Sequence, residues 1–285
     1  MAASATHTRP RVAVAKFASC DGCQLTLLDL EDALLDIAER FEVADFPEAT
    51  SRRSPGPYDV VFVEGAISTA EQADQIQELR RQARFLVTIG ACATAGGIQA
   101  LRNWADHDAV RAAVYQHPEY VESLAKATPV GEHVHVDAEL RGCPIDPGQL
   151  LELLTAVLIG RRPQIRDEAV CRECKRKGLV CVEVAQGMAC LGPVTQSGCG
   201  ALCPTYGRGC YGCFGPRNPS NARGWSRALL AQGRAPEEVW RLFAGFTAYA
   251  EPFRGVLTEL GAARERADRE AVPPAGEQPL STARG

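Results

Sequence analysis

The sequence predicts an α/β protein in which a parallel sheet flanked by helices is followed by a small, irregular, cysteine-rich domain. In the first half of the chain, short β-rich runs alternate with helical stretches, and the links between them are short. From about residue 165 the aliphatic runs give way to Gly, Pro and Cys, and eight of the twelve cysteines lie within residues 171–213. The first half is therefore typical of a flavodoxin-like or Rossmann-like layer, a fold that assigns no function by itself.

The elements of the first half follow from periodicity and from start signals. Short aliphatic runs indicate strands, and apolar residues repeated near helical spacing indicate helices. The helix over 68–83 has a start signal, because Ser68 and Glu71 fit an S-x-x-E capping box. The predicted strands are RVAVAKF (11–17), DVVFVEG (59–65), RFLVTIG (84–90) and HVHVD (133–137), and the predicted helices span 24–41, 68–83 and 149–160.

Composition shifts divide the chain into four segments. Residues 1–10 and 262–285 are polar and contain Pro or Gly, and we expect both to be disordered. Residues 11–164 form the flavodoxin-like domain. Residues 165–261 form the cysteine-rich domain, which ends in a helix over 235–253 with Pro236 in its first turn.

Charge and hydropathy exclude several classes of function. The net charge of −4 and the pI of about 5.8 give no basic field for nucleic acid. The longest apolar stretch, residues 149–160, is too short for a transmembrane segment, and the N-terminus lacks the pattern of a secretory signal. We therefore expect a cytoplasmic protein, in which thiols stay reduced and disulfides are rare.

The first domain carries four cysteines, three of which follow predicted strands. Cys20, Cys23 and Cys92 lie just past strands, and Cys143 precedes the last helix of the domain. Ligand sites of open α/β sheets lie at the carboxyl ends of the strands. Four thiolates converging from separate loops suit a cubane iron–sulfur cluster, and the glycines beside them would let the backbone approach it. In the alternative interpretation, Cys92 and Cys143 are small buried hydrophobic residues.

The second domain supplies eight more possible ligands. No histidine lies between residues 171 and 213, so any metal site there would be all-cysteine. The twelve cysteines then divide into three sets of four, but C-x-x-C pairs also occur in zinc sites, which need only four ligands each. Two structural zinc sites are therefore an open alternative. The eight residues are Cys171, Cys174, Cys181, Cys190, Cys199, Cys203, Cys210 and Cys213.

Taken together, the motifs resemble the small, electron-transferring subunit of nickel–iron hydrogenases, in particular the delta subunit of the cytoplasmic, bidirectional sulfhydrogenase and NAD(P)-linked group. The resemblance spans residues 10–216 and rests on SCDGCQLTLLDLE, VEGAIS, TIGACATAGGI, GCPID and CLGPVT…CGALCP…GRGCYGCFGP. It implies three [4Fe–4S] clusters. By motif order, Cys20, Cys23, Cys92 and Cys143 would hold a proximal cluster, Cys171, Cys174, Cys181 and Cys190 a distal cluster, and Cys199, Cys203, Cys210 and Cys213 a medial cluster, although Cys190 and Cys199 could exchange partners.

The resemblance also implies a role and partners. A large subunit would hold the nickel–iron centre, so this chain would have no catalytic residue, and it would pass electrons to iron–sulfur and flavin-containing diaphorase subunits. Cys171 stands where the better-known uptake enzymes have a histidine ligand, and the medial set has a fourth cysteine, so both sites would carry more negative charge and run at lower potential.

Two features of the sequence stay open to either a site role or an ordinary structural one. Glu64 could orient a cluster loop, face the large subunit or cap the next turn, and residues 175–177 could dock an acidic partner or form a solvated face.

The same motifs leave three other functions to weigh. The 20 kDa subunit of NADH:quinone oxidoreductase is similar in the first domain, but it has adjacent cysteines where this chain has Cys20 and Cys23, and it lacks the second cysteine region. A zinc-stabilised interaction module leaves the first-domain cysteines unexplained. A flavodoxin that binds flavin mononucleotide would need a Ser/Thr-rich phosphate loop where this chain has SCDGC.

Overall fold

The computed structural model describes residues 9–271, without the side chains of residues 34 and 264–271. Within that part of the chain, five parallel strands form one sheet in the order β2-β1-β3-β4-β5. This is the flavodoxin-like strand order, and it confirms the predicted fold class. The strands are β1 (Arg11–Lys16), β2 (Glu42–Asp45), β3 (Tyr58–Glu64), β4 (Ala83–Ile89) and β5 (Ala138–Leu140).

Helices cover the sheet and then build the second region. The first group is α1 (Gly22–Leu28), α2 (Asp32–Arg40), α3 (Ala70–Gln82), α4 (Gly90–Ala95), α5 (His107–Val114) and α6 (Pro147–Leu158), with short 3-10 helices at Ile98–Trp104, Pro118–Tyr120 and Val130–Glu132. The second group is α7 (Val170–Arg176), α8 (Val182–Gln186), α9 (Leu202–Thr205), α10 (Ala222–Ala231), α11 (Pro236–Phe243) and α12 (Phe253–Ala271).

Both faces of the sheet are buried, because side chains alternate along each strand. In β3, Phe62 packs into the same apolar core as Leu27 of α1 and Leu150 of α6. The next residue, Val63, belongs to the core on the opposite face, which Ile76 of α3 also enters. The central strands therefore form a rigid layer that fixes the loops at their carboxyl ends.

Two predictions about helices need correction. The predicted helix over 24–41 is two helices, because the chain turns at Glu31, whose φ of 50° lies in the left-handed region. The turn leaves both Leu27 and Leu30 in the core under the sheet. The capping box of α3 lies one residue later than predicted, since the Thr69 hydroxyl accepts from the Gln72 N–H and the Gln72 side chain accepts from the Thr69 N–H.

The predicted strand HVHVD (133–137) is wrong, and β2 was not predicted. The edge strand begins only at Ala138 and pairs with Val87–Ile89 of β4. Just before the strand, the Asp137 N–H donates to the Leu86 carbonyl at 2.9 Å, and the Asp137 carboxylate accepts from the Leu86 N–H at 2.8 Å, so a side chain takes the donor that a backbone carbonyl accepts within a strand pair. Strand β2, EVAD, is short and carries two acids, so periodicity alone does not reveal it.

The second region has its own apolar core, which the last three helices largely supply. Leu229, Val239 and Phe253 pack there with Val170 and Leu191 from the cysteine-rich stretch. The predicted helix over 235–253 ends at Phe243, and a separate helix begins at Phe253.

Helix α12 also corrects the prediction of a disordered tail from residue 262, because it runs to residue 271. Residues 272–285 and 1–8 of the predicted disordered segments lie outside the described residues. Among the helices that the structure describes, none combines the length and the apolar character that crossing a membrane requires.

Candidate metal centres

The first cysteine set lies along the carboxyl edge of the sheet. Cys20 follows β1, Cys23 lies in the first turn of α1, Cys92 lies in α4 directly after β4, and Cys143 follows β5. Strand β3, between β1 and β4, ends at the same edge with Glu64. The sequence prediction that these loops share one edge is therefore met in the structure.

The four thiols of this set are close enough to influence each other's ionisation. Burial raises the pKa of Cys92 to about 11, and the charges of Cys143 and Cys20 add to the rise. Burial also raises the pKa of Cys23, with contributions from Glu64 and then from Cys92 and Cys143. Thiols in such surroundings hold their protons unless a cation takes the place of the protons.

Glycines form the backbone around these sulfurs. A Cβ on Gly90 would overlap the Cys23 sulfur, and a Cβ on Gly97 would lie 2.6 Å from the Cys92 sulfur. Both residues have positive φ, 81° and 61°, so glycine is favoured there twice over. The Ala91 N–H donates to the Gly142 carbonyl at 2.6 Å, which ties the Cys92 loop to the Cys143 loop.

Glu64 orients the loop that carries Cys23. Its side chain is buried, and its carboxylate accepts from the Cys23 N–H at 3.1 Å and from the Gln24 amide at 2.7 Å. Burial raises the pKa of Glu64, whereas these hydrogen bonds act against the rise. Of the roles considered for this residue, the contacts support the one in which it fixes the first turn of α1.

The second set consists of Cys171 and Cys174 on α7, Cys181 at the start of α8, and Cys190. Burial raises the pKa of Cys171 to about 11, and the charges of Cys190, Cys174 and Cys181 raise it further. The four thiols of this set therefore lie close to one another. The Gly192 N–H donates to the Cys190 sulfur at 3.3 Å, and a Cβ on that glycine would lie 3.2 Å from the same sulfur.

Three members of the third set are close together, and the fourth lies between two sets. Burial raises the pKa of Cys213 to about 12, with contributions from Cys199, Cys143 and Cys203. Cys210 is buried, and the charges that add to its raised pKa come from Cys190 and Cys213. The ambiguity in the sequence concerned Cys190 and Cys199. In the structure Cys190 lies with the second set and Cys199 beside Cys203, while Cys210 contacts Cys190 and is also influenced by the charge of Cys213.

These contacts arrange the three sets in a row that differs from their order in the sequence. A Cβ on Gly142, next to Cys143 of the first set, would lie 2.8 Å from the Phe214 ring, next to Cys213 of the third set. At the other side, the Cys210 N–H donates to the Cys190 sulfur of the second set at 3.2 Å. The third set therefore lies between the first and the second.

Sequence reasoning missed Glu173, which lies between the two cysteines of α7. Its Oε1 accepts from the N–H groups of Gly198 at 2.9 Å and Gly200 at 3.2 Å, and its Oε2 accepts from the Ala201 N–H at 3.0 Å. An acidic residue in a short, highly charged helix gives no sign of a distant loop partner. The left-handed turn that receives it, at Gly200 and Ala201, is not visible in the sequence either.

The basic residues 175–177 are only partly free to dock an acidic partner. Arg176 pairs with Glu168, although its side chain stays partly exposed. Lys177 lies against Gly200, where a Cβ would be 3.4 Å from its Nζ.

The surroundings of the sulfurs fit iron–sulfur clusters. Among residues 9–271 with described side chains, no group of three or more His, Cys, Asp or Glu is placed to hold a single metal ion. A cubane cluster places four irons among four thiolates and takes hydrogen bonds on its sulfurs. Glycines beside the sulfurs of Cys23, Cys92 and Cys190, and backbone N–H groups aimed at Cys190 and Cys210, match that requirement.

Comparisons with known proteins decide the family. The family described as NADH ubiquinone oxidoreductase, 20 Kd subunit, matches residues 20–157. A chain of a solved NAD+-reducing [NiFe]-hydrogenase in the H2-reduced state is 31% identical, with a TM-score of 0.51, over 55% of this chain and 94% of that one. Sulfhydrogenase 2 subunit delta of Pyrococcus furiosus is 37% identical over 77% of this chain and 92% of that protein. This chain belongs to the small-subunit family of [NiFe] hydrogenases.

A second curated relative supports the same family. The vhu F420-non-reducing hydrogenase of Methanocaldococcus jannaschii has a subunit that is 31% identical over 80% of this chain and 90% of that protein. Both curated relatives match more of this chain than the solved NAD+-reducing structure does. This chain is thus a non-catalytic subunit of a hydrogenase, an oxidoreductase, and this confirms the prediction from the sequence.

Proposed function

We propose that this chain relays single electrons through three [4Fe–4S] clusters, between the nickel–iron centre of a large subunit and a diaphorase-type module. The observation that carries the proposal is the row of three thiol sets, in which the loop of Cys143 lies against the segment of Cys213 and the Cys210 N–H donates to the Cys190 sulfur. When bound, an iron–sulfur cluster takes up and releases one electron at a time. A row of such sites gives a path through the chain.

The residues that would hold the clusters follow the three sets. The first set would hold the proximal cluster, the third set the medial cluster and the second set the distal cluster. This assignment agrees with the order that the family resemblance implies for the motifs. Cys210 belongs to the medial set in this scheme, and its N–H stabilises negative charge on the Cys190 sulfur of the distal set.

Both ends of the row are exposed, so each end can meet a partner, and the family resemblance assigns the proximal site to the large subunit. Cys20 and Cys143 of the first set are exposed, so a partner subunit can cover that site. Cys181 of the second set is exposed as well, and the side chains of Val180 and Val184 beside it are 72% and 82% exposed. We assign the first end to the large subunit and the second end to an electron-exchange partner.

The identity of that partner is part of the proposal. The relatives are named for different hydrogenases, one NAD+-reducing, one a sulfhydrogenase and one F420-non-reducing. We propose iron–sulfur and flavin-containing diaphorase subunits, and we propose the cytoplasm as the compartment, because reducing conditions there keep cysteines as thiols, which can take up iron.

The test is anaerobic iron, sulfide and zinc analysis of the purified complex, with EPR spectra of the reduced sample. Three clusters predict about twelve irons and twelve sulfides for each copy of this chain, after subtraction of the partners. About two zincs with no sulfide would refute the relay and favour structural zinc in the second region.

A further inference from the structure

We propose that Glu173 positions the Cys199 loop and lowers the reduction potential of the site that the third set forms. The inference rests on the proposed function, because it assigns a role to a side chain beside one of the proposed clusters. Glu173 is neither a possible thiolate ligand nor part of an exposed patch of charge. Its contacts join two cysteine sets that the sequence separates.

The first step is the geometry of the loop. The backbone N–H groups of Gly198, Gly200 and Ala201 all point at the Glu173 carboxylate, at 2.9–3.2 Å. Gly200 and Ala201 have φ of 62° and 53°, and consecutive residues of this kind turn their N–H groups toward one concave side. Such a concavity binds an anion, and here the anion is a side chain of the same protein.

The second step is what the carboxylate holds together. Glu173 lies on α7 between Cys171 and Cys174, whereas the loop that it holds contains Cys199. Three hydrogen bonds to a charged acceptor, which are stronger than bonds between neutral groups, fasten that loop to the helix. The separation between the second and third sets is therefore fixed by a single side chain as well as by the contact of Cys210 with Cys190.

The third step is charge. Oε2 of Glu173 lies 3.9 Å from the Cys199 sulfur, and the thiol is the donor in that contact. A cysteine that binds iron is a thiolate and has no proton to donate. The carboxylate would then place a negative charge beside the cluster, and net charge and hydrogen bonds to sulfur are among the factors that set its potential.

The decisive variant is Glu173→Gln. If the amide oxygen takes the place of Oε1, the bonds from Gly198 and Gly200 remain and only the Ala201 N–H loses its acceptor. The amide N–H₂ would then face the Cys199 sulfur in place of Oε2. Loss of the negative charge and gain of a donor both favour the reduced cluster, so we expect the midpoint potential of one cluster to rise while the iron content stays at the wild-type level.

The control is Glu119→Gln, the same change at an exposed carboxylate in the first domain that pairs with His117. A redox titration followed by EPR, on the whole complex, is made for wild type and both variants. A second variant, Glu173→Ala, removes all three hydrogen bonds, and we expect it to lose iron equivalent to one cluster.

The outcomes separate this inference from the function on which it rests. If wild type lacks a third cluster, the proposed function fails before the variants are compared. If wild type has three clusters but Glu173→Gln leaves every potential unchanged, the charge effect is wrong. Full iron content in Glu173→Ala would overturn the positioning role.

Discussion

The glycines beside the sulfurs of the first cysteine set leave room for those sulfurs, and a pair of matched substitutions can test this role. Gly90 and Gly160 both have positive φ, at 81° and 67°, so alanine is strained at either position. They differ in their surroundings. A Cβ on Gly90 would overlap the Cys23 sulfur, whereas a Cβ on Gly160 would have no heavy atom within 4 Å among the described residues other than its two chain neighbours.

The structure gives the size of the expected difference. Gly160→Ala should lower the free energy of unfolding only by the backbone strain, about 1–2 kcal/mol. Gly90→Ala should cost the same strain plus roughly 1–3 kcal/mol for displacing the sulfur in a packed site. For a chain of this size, 1 kcal/mol shifts the unfolding midpoint by roughly 2–4 °C.

The assay is thermal unfolding of the anaerobic complex at one scan rate, together with iron analysis. We expect Gly90→Ala to lower the midpoint more than Gly160→Ala and to lose iron from the first set. Equal midpoints with full iron in both variants would show that the glycine surface does not support the sulfur, and the fit argument for this set would fail.

Three further predictions follow from single contacts. Thr69→Ala should lower the stability of the complex by about 1 kcal/mol, because it removes the N-cap acceptor of α3. The control, Ser68→Ala, should have little effect in the same thermal unfolding measurement. A larger loss of stability in Ser68→Ala than in Thr69→Ala would contradict the observed cap. Glu64→Ala should cost about 2–6 kcal/mol by leaving the Cys23 N–H and the Gln24 amide without an acceptor. Glu64→Gln should be nearly neutral in the same thermal scans, since Gln24 Oε1 has no partner among the described residues and can accept from the new amide. Cys171→His should raise the potential of one cluster in a redox titration, because a neutral ligand replaces a thiolate; an unchanged set of potentials would remove Cys171 from the distal set.

The sequence predicts the parts of the molecule that local chemistry determines. Runs such as DVVFVE must be buried on both faces, so their strand character and parallel arrangement follow from composition. The edge position of Cys20, Cys23 and Cys92 follows in turn, because each comes directly after such a strand.

The missed features depend on contacts between distant segments. In HVHVD, Val134 and Val136 alternate as in a strand, but they pack against the core, and the Asp137 carboxylate accepts the Leu86 N–H that a backbone carbonyl accepts within a strand pair. Glu173 and the position of Cys210 are likewise set by how residues 198–213 fold back, and spacing between cysteines carries no information about that path.

The interleaved order of the cysteine sets has a consequence for the integrity of the chain. The middle of the row is built from residues 199–213, the last cysteines to be synthesised, and it separates ends that are made earlier. A chain that stopped near residue 195 would keep every thiol of both ends, but it would lose the middle set and the last three helices, which supply most of the apolar core around the second set. On the proposed relay, such a truncation would therefore remove both the connection between the two ends and the packing that supports one of them, and it would not leave a shorter working path.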